Sequence, residues 1–560
     1  MGAALMALAF TACSDDWDDH YKGSTTLLDG YTQAVDQSLW KTISTNADLT
    51  NFASVVKATG YDRVLDGSQV FTVFAPTNEN FTAEEAEAWI ERYASEVASG
   101  VKDDDNETLK EFVKNHIALY NHSVSSKTEK TLSMLNGKYL PLTTEQLGGK
   151  RFLSANVKHT NGVLFTLDGE VEFFCNVFEY LKKDSNLSHV AEFLYSYNEY
   201  EFVPELSVEG GIVDGKTFYL DSVSQLENEI MSIYLGKINS EDSTYWMVVP
   251  TNEEWTRLTE EYTNYFNYDD NVAGRDSLNR VQTGLSVLLG TVFSRTTNPA
   301  LESGDSAYST NAFEYSLRKY AYGSSDLAYY AYYNTFAPGG AFEGTEGAEC
   351  SNGKVLKATH WNIDKTQTFF QQLLVETEYS RNIKESEDDQ SSTKFPLPMK
   401  SVASDNPFYD KVSNNSYCEI AGLTTATYPA ATFYIQNVLS NIPYDIYVVT
   451  TPAIAGDVLA TDTLPTIMEW TLGYNNQAGE YVTEVLQSKL ENNPMVMDTL
   501  LLASGKTLPT CSWGLDDPQV TLRVRNRVSS SQVRRGEYTR TMRIDCLLFK
   551  PHVEEDTAGE

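Results

Sequence analysis

The sequence FTVFAPTNENF at residues 71–81 decides the fold, and the chain repeats it as YWMVVPTNEEW at residues 245–255. In both copies a short, mostly apolar run precedes Pro-Thr-Asn-Glu. Such a run predicts a buried strand, and proline ends the strand because it has no N–H for the ladder. Thr and Asn are residues that cap the start of a helix. The pattern therefore predicts, twice, a buried strand that turns into a helix.

Two further matches surround this one. Upstream, six apolar positions recur at a constant offset of 138 residues: 39, 40, 43, 49, 52 and 55 match 177, 178, 181, 187, 190 and 193. Their spacing predicts short helices. Downstream, Asn161-Gly162 matches Asn352-Gly353, and Asn-Gly favours a tight hairpin turn. The strand motifs lie 174 residues apart, so the second copy carries about 36 extra residues between its first helices and its strand.

The first copy resembles the fasciclin (FAS1) domain. The resemblance rests on the Ala-Pro-Thr-Asn-Glu strand end, on Asn115-His116-Ile117, and on NGVLFTLD at residues 161–168, and it covers residues 24–172. It implies a compact α+β domain used in extracellular adhesion or ligand binding. The resemblance implies these properties, and the composition by itself does not.

The second copy, residues 173–365, is a divergent fasciclin-like domain. It keeps Pro-Thr-Asn-Glu and Asn-Gly. It lacks the histidine, because LLGTVF at residues 288–293 falls where that motif belongs, and it carries insertions such as YYAYY at residues 329–333. The expected fold class is α+β, with two tandem fasciclin-like domains.

An all-β sandwich is predicted for residues 366–552. Short alternating segments with turn signals between them dominate this region, which is typical of sandwiches. The stretch FYIQNVL…YDIYVVTTP at residues 433–452 weakly resembles the core strands of galactose-binding-like or carbohydrate-binding domains. Residues 553–560 form an acidic tail.

The N-terminus resembles a lipoprotein signal peptide. Residues 1–12 are apolar or small and precede Cys13, which receives the lipid in that pattern. No Lys or Arg precedes the apolar run, which favours a start inside the true signal peptide. Residues 13–23 are an acidic tether that resembles the export tag of surface lipoproteins in Gram-negative bacteria. The expected location is the outer membrane, lipid-anchored, facing the extracellular side. The alternative is a small apolar N-terminus with a buried cysteine.

The net charge of −36 argues against nucleic acid and anionic lipid surfaces as partners. The six cysteines are widely spaced and include no Cys-x-x-Cys, which disfavours zinc. If Cys13 carries lipid, five remain and cannot all pair. One disulfide is expected at most, joining Cys418 to Cys511 or Cys546.

Three arginines are the candidate ligand or partner contacts. Arg523, Arg525 and Arg527 alternate with apolar residues, so they line one face of a predicted strand. A guanidinium fork suits carboxylates and anionic sugars. The alternative is a sheet face on which the arginines neutralise acidic neighbours of the same protein.

Motifs for catalysis, cofactors and metals are missing from the sequence. It contains no phosphate loop, no dinucleotide Gly-x-Gly-x-x-Gly and no His-Glu-x-x-His. His116 is expected to be bonded within the fold, because no nucleophile motif accompanies it. Asp103-Asp104-Asp105-Asn106 lacks EF-hand spacing, so a solvated loop is expected rather than a calcium site. No cofactor, metal or catalytic residue is predicted.

The sequence favours a non-catalytic cell-surface lipoprotein that binds an extracellular ligand. That ligand is a glycan or a component of an outer-membrane nutrient-import complex. The alternative is an adhesin or structural protein that links the cell to matrix or to other cells. A glycan-degrading enzyme is a third hypothesis, since an acid-rich chain can bring two carboxylates together in space.

Lipidation of Cys13 is directly testable. In protein extracted from native membranes, mass spectrometry should find residues 1–12 removed and Cys13 triacylated, because several acyl chains are needed for stable anchoring. Cys13→Ser should move the protein to the soluble fraction, and Cys175→Ser should leave it in the membrane. Native protein that retains residues 1–12 and a bare sulfur would contradict the anchor.

Overall fold

A computed structural model describes residues 33–204, 207–213, 216–310, 329–515 and 517–552. The predicted signal peptide, Cys13, the acidic tether and the acidic tail lie outside the described residues.

The chain divides into two compact units. Among the described residues, the first unit contains those up to Asn176 together with Asn198–Asn228, and the second contains Val177–Tyr197 and those from Glu229 onward. The segment Asn198–Asn228 thus belongs to the first unit, although the predicted boundary at residue 173 assigns it to the second domain. The predicted domain limits stay predictions.

An eight-stranded sheet is the centre of the first unit. Its order is β3-β2-β8-β7-β6-β5-β4, with β1 beside β7. The strands are β1 (Gln33–Ala34), β2 (Phe71–Pro76), β3 (Ile117–Leu119), β4 (Glu129–Ser133), β5 (Tyr139–Thr143), β6 (Gln146–Leu147), β7 (Lys150–His159) and β8 (Gly162–Leu167). All six residues of β2 are buried, and β2 runs parallel to β8 and antiparallel to β3. A strand paired on both sides and buried on both faces accounts for the apolar run in the sequence.

Helices cover one side of this sheet and share a core with β2. They are Leu39–Thr45, Thr50–Ala58, Asp62–Leu65 and Ala83–Ala98, and a π-helical turn follows at Thr108–Val113. Each presents apolar residues at helical spacing, so burial of those faces drives their docking.

The helix predicted directly after Pro-Thr-Asn begins later than expected in the first unit. It starts at Ala83, where Thr82 and Glu85 form a capping box. The side chain of Asn78 is used elsewhere: it accepts from the Asn51 N–H at 3.0 Å and donates to the Ala47 carbonyl at 2.8 Å. Asn78 therefore fixes the start of the helix Thr50–Ala58. The helix Ala83–Ala98 is capped by Thr82 instead.

Asn161 joins the first helix to the sheet. Its Oδ1 accepts from the Leu39 N–H at 2.8 Å, and its Nδ2 donates to the carbonyls of Leu65 at 2.9 Å and Gly67 at 2.8 Å. The N–H groups of a first helical turn have no partner within the helix, so this side chain satisfies a buried donor. As predicted, Asn161 lies in a two-residue hairpin turn, because His159 pairs with Gly162.

Two antiparallel ribbons form the segment Asn198–Asn228. In chain order the strands are β9 (Asn198–Phe202), β10 (Val208–Val213), β11 (Lys216–Asp221) and β12 (Ser224–Asn228), with β9 paired to β12 and β10 to β11. Asp221 is buried and accepts from the Tyr61 hydroxyl at 2.8 Å and from Lys114 Nζ at 3.0 Å. Since Tyr61 and Lys114 belong to the helical side of the first unit, these bonds hold the ribbons there.

A four-stranded sheet in the second unit repeats the arrangement around β2. Its order is β14-β13-β18-β17. The strands are β13 (Tyr245–Pro250), β14 (Val292–Ser294), β15 (Ser306–Tyr308), β16 (Ala331–Tyr333), β17 (Glu346–Cys350) and β18 (Gly353–Ala358), of which β15 and β16 pair separately. The fully buried β13 runs parallel to β18 and antiparallel to β14, as β2 does to β8 and β3.

Four helices accompany this sheet: Val177–Lys183, Ser188–Tyr195, Asn252–Tyr262 and Arg275–Leu288. Here the helix does follow Pro-Thr-Asn directly, with Thr251 at its N-cap position.

The two asparagine contacts of the first unit recur in the second. Asn352 accepts from the Val177 N–H at 2.8 Å and donates to the carbonyls of Ile238 and Ser240 at 2.8 and 2.9 Å. In the same way Asn252 accepts from the His189 N–H at 3.0 Å and donates to the Ser185 carbonyl at 2.9 Å.

The C-terminal region is rich in β-structure, as predicted. One sheet has six strands in the order β21-β22-β29-β24-β27 with β19 beside β29, and the other has five in the order β20-β23-β28-β25-β26. The strands are β19 (Leu373–Glu376), β20 (Ile383–Asp388), β21 (Met399–Ser401), β22 (Ser416–Ile420), β23 (Pro429–Tyr434), β24 (Pro443–Thr450), β25 (Ile467–Asn475), β26 (Tyr481–Glu491), β27 (Asp498–Thr507), β28 (Thr521–Asn526) and β29 (Met542–Pro551). Short helices lie at Ala453–Gly456 and Ser530–Arg534.

The disulfide predicted for Cys418 is not formed. Cys418 and Cys511 are both buried free thiols, so neither proposed pairing of Cys418 exists. Cys418 lies opposite Ile544, two residues from Cys546 on β29, and such a diagonal separates Cα atoms by roughly 7–8 Å, beyond disulfide reach. Burial raises the pKa of Cys418 and of Cys511 to about 12, so both thiols stay protonated.

None of the helices in the described part of the chain combines the length and apolarity needed to cross a membrane.

Removal of Asn161 or Asn352 should destabilise its own unit. Asn161→Ala leaves one buried N–H and two carbonyls without their partner, which costs about 2–4 kcal/mol. Hydrogen exchange should speed up at the Leu39 amide in Asn161→Ala and at the Val177 amide in Asn352→Ala. Asn121→Ala, at an exposed position, is the control. Unchanged exchange at Leu39 and Val177 would show that these asparagines do not hold the helices.

Candidate ligand-binding face

The predicted arginines project from one side of the five-stranded sheet. Arg523 and Arg525 lie on β28 opposite the buried Leu522 and Val524, and β28 is flanked by β23 and β25. We call the surface that carries Arg523 and Arg525 the outer face. Cross-strand partners share a face in an antiparallel sheet, so the residues paired with these arginines also belong to it.

The arginines are paired with carboxylates of the same protein. Arg523 Nη2 lies 2.8 Å from Asp389 Oδ1, and Arg525 Nε lies 2.6 Å from Glu469 Oε1. Arg527 reaches the other oxygen of Glu469 at 3.5 Å. These pairs correspond to the structural alternative, in which the arginines neutralise acidic neighbours.

The network continues to the edge strand β20. Arg523 also contacts Glu387 at 3.2 Å, and Lys394 contacts both Glu385 at 2.7 Å and Glu387 at 2.9 Å. Lys394 and Arg523 together lower the pKa of Glu387, so it stays ionised. This half of the outer face is a closed set of ion pairs.

An exposed tyrosine occupies the other half. Tyr481 begins β26, and its hydroxyl shares a 2.6 Å hydrogen bond with Thr521 Oγ1 on β28, two strands away. The ring reaches Thr521 by crossing Gly473 on β25, where a Cβ would lie 2.0 Å from the Tyr481 oxygen. The residue is nevertheless 48% exposed. Tyr481 thus offers a flat aromatic surface held in place at its hydroxyl end.

Lys384 lies between this ring and a second tyrosine. Its Nζ is 5.4 Å from the ring centroid of Tyr434 and 5.4 Å from that of Tyr481, within the range of cation–π attraction. The pairing of β20 with β23 shifts register between Ile383 and Glu385, so Lys384 sits in a β-bulge. A bulge redirects a side chain, which explains how Lys384 shares the outer face with its neighbour Glu385.

These groups suit recognition of a polyhydroxylated ligand. Ligand sites combine apolar or aromatic surface with a few placed polar groups, and here Tyr481 and Tyr434 supply the rings. Lys384 and the ion-pair network supply donors and acceptors beside them, and the buried Thr521 holds Tyr481 in place. Sequence reasoning found the arginines and missed Lys384 and the tyrosines. The signals were Gly473 within a strand and the alternation of β23, which places Tyr434 in register with Thr521.

His116 is bonded within the fold, as expected. It is fully buried, its Nδ1 lies 2.8 Å from the Phe112 carbonyl, and its Nε2 accepts from the Val171 N–H at 2.9 Å. Burial lowers the pKa of His116 to about 4, so the ring is neutral at pH 7. In the second unit Thr291 takes the corresponding place beside β14 and bonds the Leu288 carbonyl.

The acidic segment Asp103–Asp105 forms a short 3-10 turn. Asp105 accepts a 2.6 Å hydrogen bond from the Tyr200 hydroxyl. Across the described ranges, no group of three or more His, Cys, Asp or Glu residues is arranged to hold a metal ion.

The first unit thus combines a buried parallel strand pair, helices that pack against it and a buried histidine in one α+β domain. Residues 47–170 match the family described as Fasciclin domain. The chain therefore contains a fasciclin domain. No curated protein sequence matches the chain.

Solved structures offer only distant similarity. A FAS1 domain pair from the insect cell adhesion molecule fasciclin I matches at 13% identity and a TM-score of 0.18, over 58% of this chain and 99% of that one. The CBM22-1 xylan-binding domain of Paenibacillus barcinonensis Xyn10C matches at 7% identity and a TM-score of 0.20, over 32% of this chain and 95% of that one. The CBM22-1 and GH10 modules of Clostridium thermocellum xylanase 10B, in complex with xylohexaose, match at 11% identity and a TM-score of 0.20. This match covers 34% of this chain and 29% of that one. At these TM-scores none of the three indicates what this protein binds.

The neutral state of His116 makes stability depend on pH. Its folded pKa of about 4 lies below the ordinary value of 6.5, so the unfolded chain binds the proton more readily between these values. Stability should therefore fall as pH drops from 6.5 to 4, by up to about 3 kcal/mol from this group.

Urea unfolding of wild type and of His116→Asn at pH 7 and pH 4.5 tests this dependence. The stability advantage of wild type should shrink at pH 4.5. Burial also lowers the pKa values of His122 and His159, but both variants keep these residues and their contributions cancel. An equal advantage at the two pH values would contradict a neutral His116.

Proposed function

We propose that this protein is a non-catalytic cell-surface lipoprotein that binds a glycan on the outer face of its C-terminal five-stranded sheet. The single observation that carries the proposal is the exposed Tyr481, whose hydroxyl crosses Gly473 and is held by its hydrogen bond to Thr521. Sugars present apolar C–H faces that stack on aromatic rings and hydroxyl groups that need donors and acceptors at the rim. The outer face supplies both.

The C-terminal region acts in this proposal as a carbohydrate-binding β-sandwich of the galactose-binding-like kind. Its two sheets each bury apolar residues on one side, including Phe433, Trp470 and Leu522 in the five-stranded sheet. A sheet that is buried on one face and polar on the other is the usual arrangement in a sandwich. The exposed part of the outer face, around Tyr481 and Lys384, is then available to a ligand.

The remainder of the chain contributes two tandem fasciclin-like domains in this proposal. The hydrogen bonds of Asn352 and Asn252 repeat those of Asn161 and Asn78, group for group, and this supports a common ancestry of the two fasciclin-like domains. The lipid anchor at Cys13 and the outward position on an outer membrane rest on the N-terminal sequence pattern. A nutrient-import complex of that membrane is the proposed partner.

Adhesion is the second candidate function, and the fasciclin domain at residues 47–170 favours it. The family's extracellular adhesion role would then fall to the two fasciclin-like units, with a partner on matrix or on other cells. Pull-down separates the two candidates, since an adhesin should retain matrix proteins and an import accessory should retain an outer-membrane transporter.

Loss of the Tyr481 ring should weaken glycan binding. On a polysaccharide array the wild-type chain should bind at least one glycan, and Tyr481→Ala should weaken that binding about tenfold or more, if a sugar gains about as much from the ring as the roughly 1–3 kcal/mol that a nucleic-acid base gains by stacking on an aromatic side chain. Gly473→Ala should also weaken it, because the new methyl group displaces the Tyr481 hydroxyl. No sugar should be released from the bound glycan.

Tyr409→Ala is the matched control, because Tyr409 is an exposed tyrosine on a loop of the same region. Equal loss in Tyr409→Ala and Tyr481→Ala would show a general defect rather than a site. An array without any bound glycan would overturn the proposal.

A further inference from the structure

One cation on the outer face differs from all the others. The outer face carries five basic side chains: Lys384, Lys394, Arg523, Arg525 and Arg527. Four of them pair with the carboxylates Glu385, Glu387, Asp389 and Glu469. Lys384 forms no ion pair with any residue that the structure describes. These five cations therefore outnumber the four carboxylates that bind them by one, and the cation left over is Lys384.

This excess is unusual in an acidic chain. The protein has 78 acidic and 42 basic residues, so a surface lysine has many carboxylates available to it. Two of them, Glu385 and Glu387, lie on the same strand as Lys384 but bind Lys394. The ammonium of Lys384 instead rests over two aromatic rings. Its charge is left available to a ligand.

The surroundings of Lys384 fix where an anion would bind. The ammonium is equally distant from the rings of Tyr434 and Tyr481, and the side chain leaves the strand at a bulge. An anionic group bonded to Lys384 Nζ would lie beside the exposed ring of Tyr481. A sugar that carries this group would draw the Lys384 side chain from the ring to the anion and stack on the ring in its place, and the sheet itself would not have to change.

We propose that the glycan bound at the outer face is acidic, with a sugar carboxylate paired to Lys384 and the same or the adjacent sugar ring stacked on Tyr481. This inference rests on the proposed function and names the ligand class of that site. The inference also assigns anion recognition to Lys384 rather than to the arginines, because the guanidinium groups of the arginines already bind Asp389 and Glu469.

Matched polysaccharide pairs test the proposal with the full chain. Polygalacturonate, alginate and hyaluronan are each measured by calorimetry beside their carboxyl-reduced forms, which keep a sugar backbone and lose the charge. At least one acidic form should bind about tenfold or more tightly than its reduced form, because the net free energy of one hydrogen bond to a charged group corresponds to a factor of about ten or more in Kd. Lys384→Gln should remove this difference, and Lys384→Arg should retain most of it.

Control variants keep the outcome clear. Lys411→Gln, on an exposed lysine of the same region, should preserve the preference for the acidic form. Circular dichroism of Lys384→Gln should match wild type, since the side chain is exposed. A higher salt concentration should weaken binding of the acidic ligand and leave binding of any neutral ligand unchanged.

Each result decides one of the two proposals. Binding of neutral glycans only, or equal binding of acidic and reduced forms, overturns the acidic ligand and leaves the glycan-binding function standing. An unchanged preference in Lys384→Gln overturns the role of Lys384. Binding of no polysaccharide at all, in these pairs and on the array, overturns the proposed function itself.

Discussion

The need to satisfy buried backbone groups at helix starts governs the architecture of both units. A helix that docks on a sheet buries N–H groups that have no partner within the helix, and each one left unpaired costs about 1–3 kcal/mol. In the first unit Asn161 accepts from one such group and donates to two carbonyls. Asn352 does the same in the second. These side chains fix the first helix against the turn of a hairpin, so the position of the helix follows from the strand.

The sequence predicted the strands around these contacts well, because their signals are local. The apolar run, the proline and the Asn-Gly turn identified β2, β13 and the hairpins without any knowledge of the fold. What the sequence could not reveal is where a polar side chain bonds. Asn78 was a candidate helix cap, but it binds the preceding helix instead, and the predicted helix begins only at Ala83, five residues after Asn78. The docking of β9–β12 depends in the same way on a distant pair, Asp221 with Lys114.

On the outer face, too, the sequence predicted which residues share a face but not which partners they bind. Alternation in β28 correctly placed Arg523 and Arg525 on one face, since period two is a property of the strand itself. Their partner Asp389 lies 134 and 136 residues away in sequence, so their neutralisation could not be derived from local pattern. Tyr481 gave no signal of its own. Its position depends on the absence of a side chain at Gly473, which only the pairing of β25 with β26 reveals.

The acidic character of the chain does not by itself decide the charge of a ligand. At physiological ionic strength the interaction between exposed charges is largely screened beyond about 8 Å. A ligand at Tyr481 is therefore affected by Lys384 and by the balanced ion pairs next to it, far more than by acidic residues elsewhere in the sequence. Because four carboxylates of the outer face are already held by Lys394 and the arginines, they repel an incoming anion less than free carboxylates would. A protein with a net charge of −36 can for this reason present a local surface that attracts an acidic sugar.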